Sequence, residues 1–197
     1  MKPIKLCAIL ILFCTLVLPM SATASPAREQ LRASIDAILD VLKDEGLKAD
    51  MVKRRAALRE LIHQRFDFRK MSQLSLARHW RGRTPQEKDM FTQWFSQLLE
   101  DTYVGRIEAY TNERVIYTKE RIKKNKAQIS TLIVTQNIEI PIDYRMFAVD
   151  AGQWRVYDIV IEGVSLVGNY RSQFAQILDK GSFEDLVEQL RGKLVTP

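Results

Sequence analysis

The sequence predicts an α+β protein in which helices pack on one antiparallel sheet. Apolar residues recur at helical spacing from residue 26 to about residue 110, alternate with a period of about two between residues 114 and 162, and return to helical spacing beyond Gly163. The links between successive alternating segments are short, which pairs neighbouring strands antiparallel, because parallel strands need long crossovers.

The first segment is read as an address. Lys2 and Lys5 precede an almost wholly apolar run from Leu6 to Leu18, followed by Pro19 and the small-residue triplet Ala22-Thr23-Ala24. This is the pattern of a secretory signal peptide over residues 1–24, cleaved near Ala24-Ser25, and the apolar run is short for a span of about 20 residues. Cys7 and Cys14 both fall inside it, so the remaining chain carries no thiol for a disulfide, metal site or nucleophile. Phe13 stands before Cys14, where a lipoprotein would have a small residue. The expectation is a periplasmic protein. Without the leader, 28 basic residues face 24 acidic ones, a net charge of +4. For an exported chain the natural polyanion is a membrane surface rather than nucleic acid.

Residues 25–197 are read as one domain, with a helical part over about 25–110, a sheet over about 114–162 and C-terminal helices over about 164–195. Ser25-Pro26 gives a cap and a first-turn proline, and Leu31, Ile35, Ile38, Leu39 and Leu42 make one apolar stripe, expected to end at Gly46. Asp50 caps a second helix with Leu58, Leu61 and Ile62 inward and a basic face of Lys53, Arg54, Arg55 and Arg59, read as solvated. Phe66-Asp67-Phe68 breaks that helix and recaps a third, which turns Met71, Leu74 and Leu76 inward and ends near Trp80. Thr84-Pro85-Gln86-Glu87 combines a capping box with a first-turn proline and opens a long helix to about Tyr110, with a wide aromatic stripe.

Four strands follow: Val115 to Thr118, Ala127 to Ile138, Ile140 to Val149 and Trp154 to Ile161. Lys119 to Lys126 is read as a basic hairpin tip, and Asp150-Ala151-Gly152 as a tight turn. Leu166, Tyr170, Phe174, Ile177 and Leu178 then mark a helix capped by Ser165, and Ser182 caps a last one carrying Phe183, Leu186, Val187 and Leu190.

Signatures of catalysis fail one by one. His63 and His79 stand alone, without the spacing of a metal motif. Gly163-Val164-Ser165-Leu166-Val167 has the outline of a nucleophile elbow, but Val167 occupies the place of its last glycine. Asp143, Asp158 and Glu162 are the available carboxylates, and Asp158, between Tyr157 and Ile159 in an apolar strand, needs a partner such as Arg145, Arg171 or backbone donors. The apolar strand positions are more informative. Ile140, Ile142, Tyr144 and Met146 oppose Phe147 and Val149 on the third strand; Trp154, Val156 and Val160 oppose Tyr157, Ile159 and Ile161 on the fourth. A sheet apolar on both faces is covered on both, or faces a cavity. Periodicity leaves a filled core and a ligand pocket equally open.

Particular strings go further. Phe66-Asp67-Phe68-x-x-Met71-Ser72 leading to Leu76 and Trp80, Phe91-x-x-x-Phe95-x-x-Leu98-Leu99-x-x-x-Tyr103, Pro141-Ile142-Asp143-Tyr144, and the long run from Trp154 through Glu162-Gly163-Val164-Ser165 to Asn169-Tyr170-Arg171-Ser172-Gln173-Phe174 resemble the MlaC, or toluene-tolerance, family over roughly residues 50–180. The resemblance implies an NTF2-like antiparallel sheet of about four strands with an added helical subdomain, enclosing an apolar cavity. It implies a periplasmic phospholipid carrier that does no chemistry on its ligand and needs no cofactor. Such a carrier shuttles lipid between an outer-membrane lipoprotein complex and the MCE-domain subunit of an inner-membrane ABC transporter, and so maintains outer-membrane asymmetry.

On that reading Phe91, Phe95, Leu98, Tyr103, Tyr144, Met146, Val156, Ile159, Ile161, Val164, Leu166 and Tyr170 are the candidates for the cavity lining. Some of them belong to plain core, since a cavity uses one side of each strand. Arg145, Arg155 and Arg171 are the candidates for a head-group rim, and Arg171 is equally a brace for Asp158 or Glu162. Three rivals stay open: a carrier of another amphiphile such as a hopanoid, an enzyme on an NTF2-like cavity using Asp158 or Asp143, and a protein-binding export factor with a filled core.

Overall fold

A computed structural model describes residues 24–109, 114–135, 137–150 and 152–195. The expected signal peptide lies outside them, apart from its last residue. The helical part begins with α1 (Pro26–Lys43), where the Ser25 hydroxyl accepts from the Arg28 amide at 3.2 Å. Gly46 does not end it. Asp44 does, closing α1 and capping the short α2 (Glu45–Ala49) through a bond from the Leu47 amide, because a carboxylate two residues before the glycine already satisfies a new helix start. α3 (Met51–Arg65) and α4 (Phe68–Leu76) are capped by Asp50 and Asp67 in the same way, and a single 3₁₀ turn over Ala77–Trp80 follows.

The Thr84 capping box forms in both directions. Glu87 N donates to Thr84 Oγ1 at 3.2 Å, and Thr84 N donates to Glu87 Oε2 at 2.6 Å, opening α5 (Pro85–Glu108). After the sheet, α6 (Leu166–Leu178) starts at Ser165 and α7 (Phe183–Val195) starts beside Ser182, whose hydroxyl accepts from the Asp185 amide.

Five antiparallel strands lie in sequence order: β1 (Arg114–Lys123), β2 (Lys126–Val134), β3 (Glu139–Ala148), β4 (Trp154–Ile161) and the two-residue β5 (Val164–Ser165). The residues read as a basic hairpin tip are strand. β1 pairs with β2 as far as Lys123 opposite Lys126, and only Lys124 and Asn125 turn. This strand is the edge of the sheet and is largely solvated, so backbone pairing holds it without an apolar alternation that a reader of the sequence would notice. At the other edge Glu162 and Gly163 both take positive φ, the conformation of a two-residue hairpin turn, and deliver β5.

A bulge resets the parity of β4. Arg145 pairs with Asp158 while Met146 pairs with Val156, so Tyr157 is the extra residue. Consequently Trp154 and Val156 share a face with Ile159 and Ile161, and not with Val160 as strict alternation predicts. Phe147 and Tyr157 meet on the opposite face, with ring centroids 6.0 Å apart.

Two clusters fill the interior. The larger joins α3 to α7, with Phe91 and Phe95 of α5 set against Tyr170 and Phe174 of α6 at ring-centroid distances of 5.1 to 5.6 Å. The smaller sits where the start of α1 crosses the sheet, with Ala27 and Leu31 against Ala127, Ile129, Met146, Trp154 and Val156. The basic face of α3 is not merely solvated: Arg55 pairs with Glu108 at 3.0 Å and Arg59 with Asp101 at 3.0 Å, which ties α3 to the far end of α5.

Candidate functional site

Between the two clusters the packing opens into a cleft of about 360 Å³, within the range of about 300–1,000 Å³ common for ligand sites. Each wall follows from an element already placed. The α1 stripe Leu31, Ile35, Ile38, Leu39 and Leu42 forms one side, because those positions recur on a single helical face. Leu61 and Ile62 of α3, Phe66 at the break, and Phe68 and Met71 of α4 form the next. Leu99, Tyr103, Val104 and Ile107 face it from the second half of α5. The sheet supplies Val115, Ile133, Ile140, Ile142, Tyr144, Ile159 and Ile161, and Leu166 closes one corner. The β4 bulge is what turns Ile159 and Ile161 to the same side as the β3 residues opposite them.

Few polar groups reach these walls. Glu100, 9% exposed, is held on both oxygens, with His63 Nε2 at 2.6 Å from Oε1 and Arg59 Nε at 3.2 Å from Oε2. Ser34, Arg65 and Arg106 complete the polar lining, apart from the hydroxyls of Tyr103 and Tyr144. Burial pushes the Tyr103 phenol above its ordinary pKa, so the hydroxyl stays neutral there. Among the described residues no group of His, Cys, Asp and Glu is arranged to hold a metal ion. A lining of this kind offers nondirectional contact to a long apolar ligand and little that fixes a reacting atom.

Of the expected lining residues, Tyr103, Tyr144, Ile159, Ile161 and Leu166 come together at the cleft. The other seven face elsewhere. Phe91, Phe95, Leu98 and Tyr170 belong to the aromatic core under α6 and α7, because the wide stripe of α5 serves two neighbours and its first half faces away from the sheet. Met146 and Val156 are sealed beneath the start of α1. Val164 is 61% exposed on β5, where the edge strand turns it outward. α1 and α3 add walls that the sequence does not announce: the α1 stripe is plain in it, but a stripe gives no sign of what it covers.

The expected rim arginines also lie away from the cleft. Arg145 Nη1 donates to Asp158 Oδ2 at 2.9 Å on the opposite face of the sheet. Arg171 donates to the Leu74 carbonyl at 2.8 Å, bracing α6 against α4 rather than pairing with Asp158 or Glu162. Arg155 sits opposite Phe147 in β4 and is not part of the lining. The cations that do line it, Arg65 and Arg106, come from the ends of α3 and α5, where the sequence shows only one charge among many.

Neither carboxylate considered for acid–base work faces the cleft. Asp158 is 3% exposed and fully engaged: Oδ2 accepts from Arg145 and from Ser165 Oγ at 2.7 Å, and Oδ1 accepts from the Val167 amide at 3.0 Å. It thereby caps α6, a favourable place for negative charge. Asp143 accepts from Gln128 Nε2 at 2.8 Å on the same outer face.

The solved structure of a phospholipid-binding protein from Ralstonia solanacearum in complex with a phospholipid is similar in fold, with a TM-score of 0.79 and 27% identity, covering 87% of this chain and 97% of that one. The intermembrane phospholipid transport system binding protein MlaC of Haemophilus influenzae is 23% identical over 128 residues, which is 62% of this chain and 59% of that relative. The sequence profile of the MlaC protein family matches residues 32–192, most of the chain, and the protein belongs to that family.

Proposed function

We propose that this protein is a periplasmic lipid carrier that holds the acyl chains of a phospholipid in the cleft between α1, α3, α5 and the sheet. The observation that carries this reading is the cleft itself, a ligand-sized space walled almost entirely by aliphatic and aromatic side chains. Water gains little from such walls, whereas each methylene moved out of water is worth about 0.8 kcal/mol. A fold similar to a protein solved with bound phospholipid supports the choice of ligand. A sealed, fully bonded Asp158 and an outward Asp143 support binding without chemistry, since neither has a path to a ligand in the cleft.

The carrier shuttles between membranes. The reading places an outer-membrane lipoprotein complex at one end and the MCE-domain subunit of an inner-membrane ABC transporter at the other, so that the exchange maintains outer-membrane lipid asymmetry. Among the described residues no helix is long and apolar enough to cross a membrane, which is compatible with a diffusing carrier. The N-terminal leader supplies the export route.

The test is transfer. Donor vesicles carrying a fluorescent, self-quenched phosphatidylethanolamine and unlabelled acceptor vesicles are mixed with the purified mature chain. The carrier reading expects dequenching that rises with protein concentration. A rate equal to that of vesicles alone contradicts it.

A further inference from the structure

Among the described residues, two cations of the lining, Arg65 and Arg106, have no carboxylate within ion-pair reach; Arg106 is exposed to water, and Arg65 is the one partly withdrawn from it. Arg65 ends α3 at the corner where α1 crosses β4, half-buried against the cleft. Its guanidinium is fixed at two of its three nitrogens by three bonds: Nε donates to Ser34 Oγ at 2.7 Å, and Nη1 donates to Gln30 Oε1 at 3.1 Å and to the Trp154 carbonyl at 2.5 Å. These partners are neutral. Among the described residues no carboxylate stands within ion-pair reach of Arg65, and Nη2 has no acceptor although it is not sealed from solvent. Burial, and then the nearby charge of Arg155, push the Arg65 pKa below its usual value.

The absence of a counter-ion is the informative point. A guanidinium withdrawn from water normally faces a carboxylate, and elsewhere on α3 Arg55 and Arg59 each pair with α5 acids. Arg65 is instead held by neutral oxygens at Nε and Nη1, with Nη2 unused. That arrangement is pre-organised for an anionic oxygen that arrives with a ligand, because the side-chain entropy is already lost and the fork is already oriented.

We propose that Arg65 is the recognition site for a phosphoryl oxygen of the amphiphile in the cleft. This rests on the carrier reading above and adds where the head group lies: at the α1–α3–β4 corner, with the acyl chains running from it along the apolar walls. Arg155, a second cation acting on the same corner and, among the described residues, without a carboxylate in ion-pair reach, raises the local positive potential. Lysine would serve less well, since it lacks the spread of nitrogens that lets Nε and Nη1 bind protein while Nη2 binds ligand.

The experiment compares two lipids that differ at the head. Delipidated protein is offered dioleoylphosphatidylglycerol and dioleoylglycerol in equal amounts, and the two complexes are quantified by native mass spectrometry for wild type, Arg65→Gln and Arg65→Lys. Wild type is expected to favour the phospholipid by about tenfold or more, the scale of one charge-assisted hydrogen bond. Arg65→Gln is expected to bring the ratio near one by lowering phosphatidylglycerol uptake far more than dioleoylglycerol uptake, and Arg65→Lys to keep part of the preference. An unchanged ratio in Arg65→Gln overturns the proposal. So does an equal loss of both lipids, which marks Arg65 as a structural brace only. If Arg65→Gln does not fold, the ³¹P resonance of phosphatidylglycerol on wild type decides: a resonance displaced from its vesicle position is expected, and an undisplaced one overturns the assignment. Uptake of neither lipid by wild type refutes the carrier reading itself, and this inference with it.

Discussion

Ile161 and Val164 stand three residues apart on either side of the Glu162-Gly163 turn, and they have opposite fates. Ile161 lines the cleft beside Ile142, whereas Val164 is largely exposed on the edge strand. Ile161→Asp places an unpaired carboxylate among aliphatic walls, so lipid recovered by organic-solvent extraction is expected to fall to a small fraction of the wild-type amount. Val164→Asp is expected to extract with wild-type lipid. Asp158 belongs to a different class of residue. Removing its carboxylate strands Arg145, the Ser165 hydroxyl and the Val167 amide together, and Asp158→Ala is expected to cost on the order of 3 kcal/mol in urea unfolding. Phe95→Ala, deep in the aromatic cluster at 0% exposure, is expected to cost about 3–5 kcal/mol without altering the walls of the cleft. A loss of lipid from correctly folded Phe95→Ala would place that ring nearer the cleft than the structure does.

The helices were legible because their ends are written in capping chemistry. Ser25, Asp50, Asp67, Thr84 and Ser165 are each visible as caps and each accepts the bond expected. The strands were legible where they are half-buried, and β4 has the bounds its alternation predicts. What failed is physical in each case. β1 was cut short because an edge strand rich in Lys and Arg carries little apolar signal, and β4 was assigned the wrong faces because a bulge shifts parity without altering composition. The cleft was half legible for the same reason. Strand residues announce an apolar face, but which half of the α5 stripe turns to the sheet is decided by how α6 and α7 pack. One prediction belongs to this scale. The bond from the Thr84 amide holds the Glu87 carboxyl below its ordinary pKa, so its charge stabilises α5 at neutral pH and that contribution is lost as pH falls through the folded-state value. Glu87→Gln is expected to melt below wild type at pH 7, and the gap is expected to close as the pH falls through the lowered folded-state pKa of Glu87, beyond which both side chains are neutral. A constant gap across that range would show that the charge is not what the cap uses.

At the scale of the molecule, two well-packed clusters flank a space that neither fills. The start of α1 covers one end of the sheet's helix-facing side, whereas Ile140, Ile142, Tyr144, Ile159 and Ile161 face the cleft, and the loss of buried contact there has an explanation if a ligand completes the core. The fold is then a holder whose third core is carried rather than encoded. A positive net charge and apolar walls are consistent with work beside anionic membranes. The measurement that tests this most directly is native mass spectrometry of the protein purified from its producing cells without detergent. A complex heavier than the mature chain by the mass of one diacyl phospholipid, released on collisional activation, is the predicted result. The bare mass of the chain, with no phospholipid in its organic extract, would contradict it.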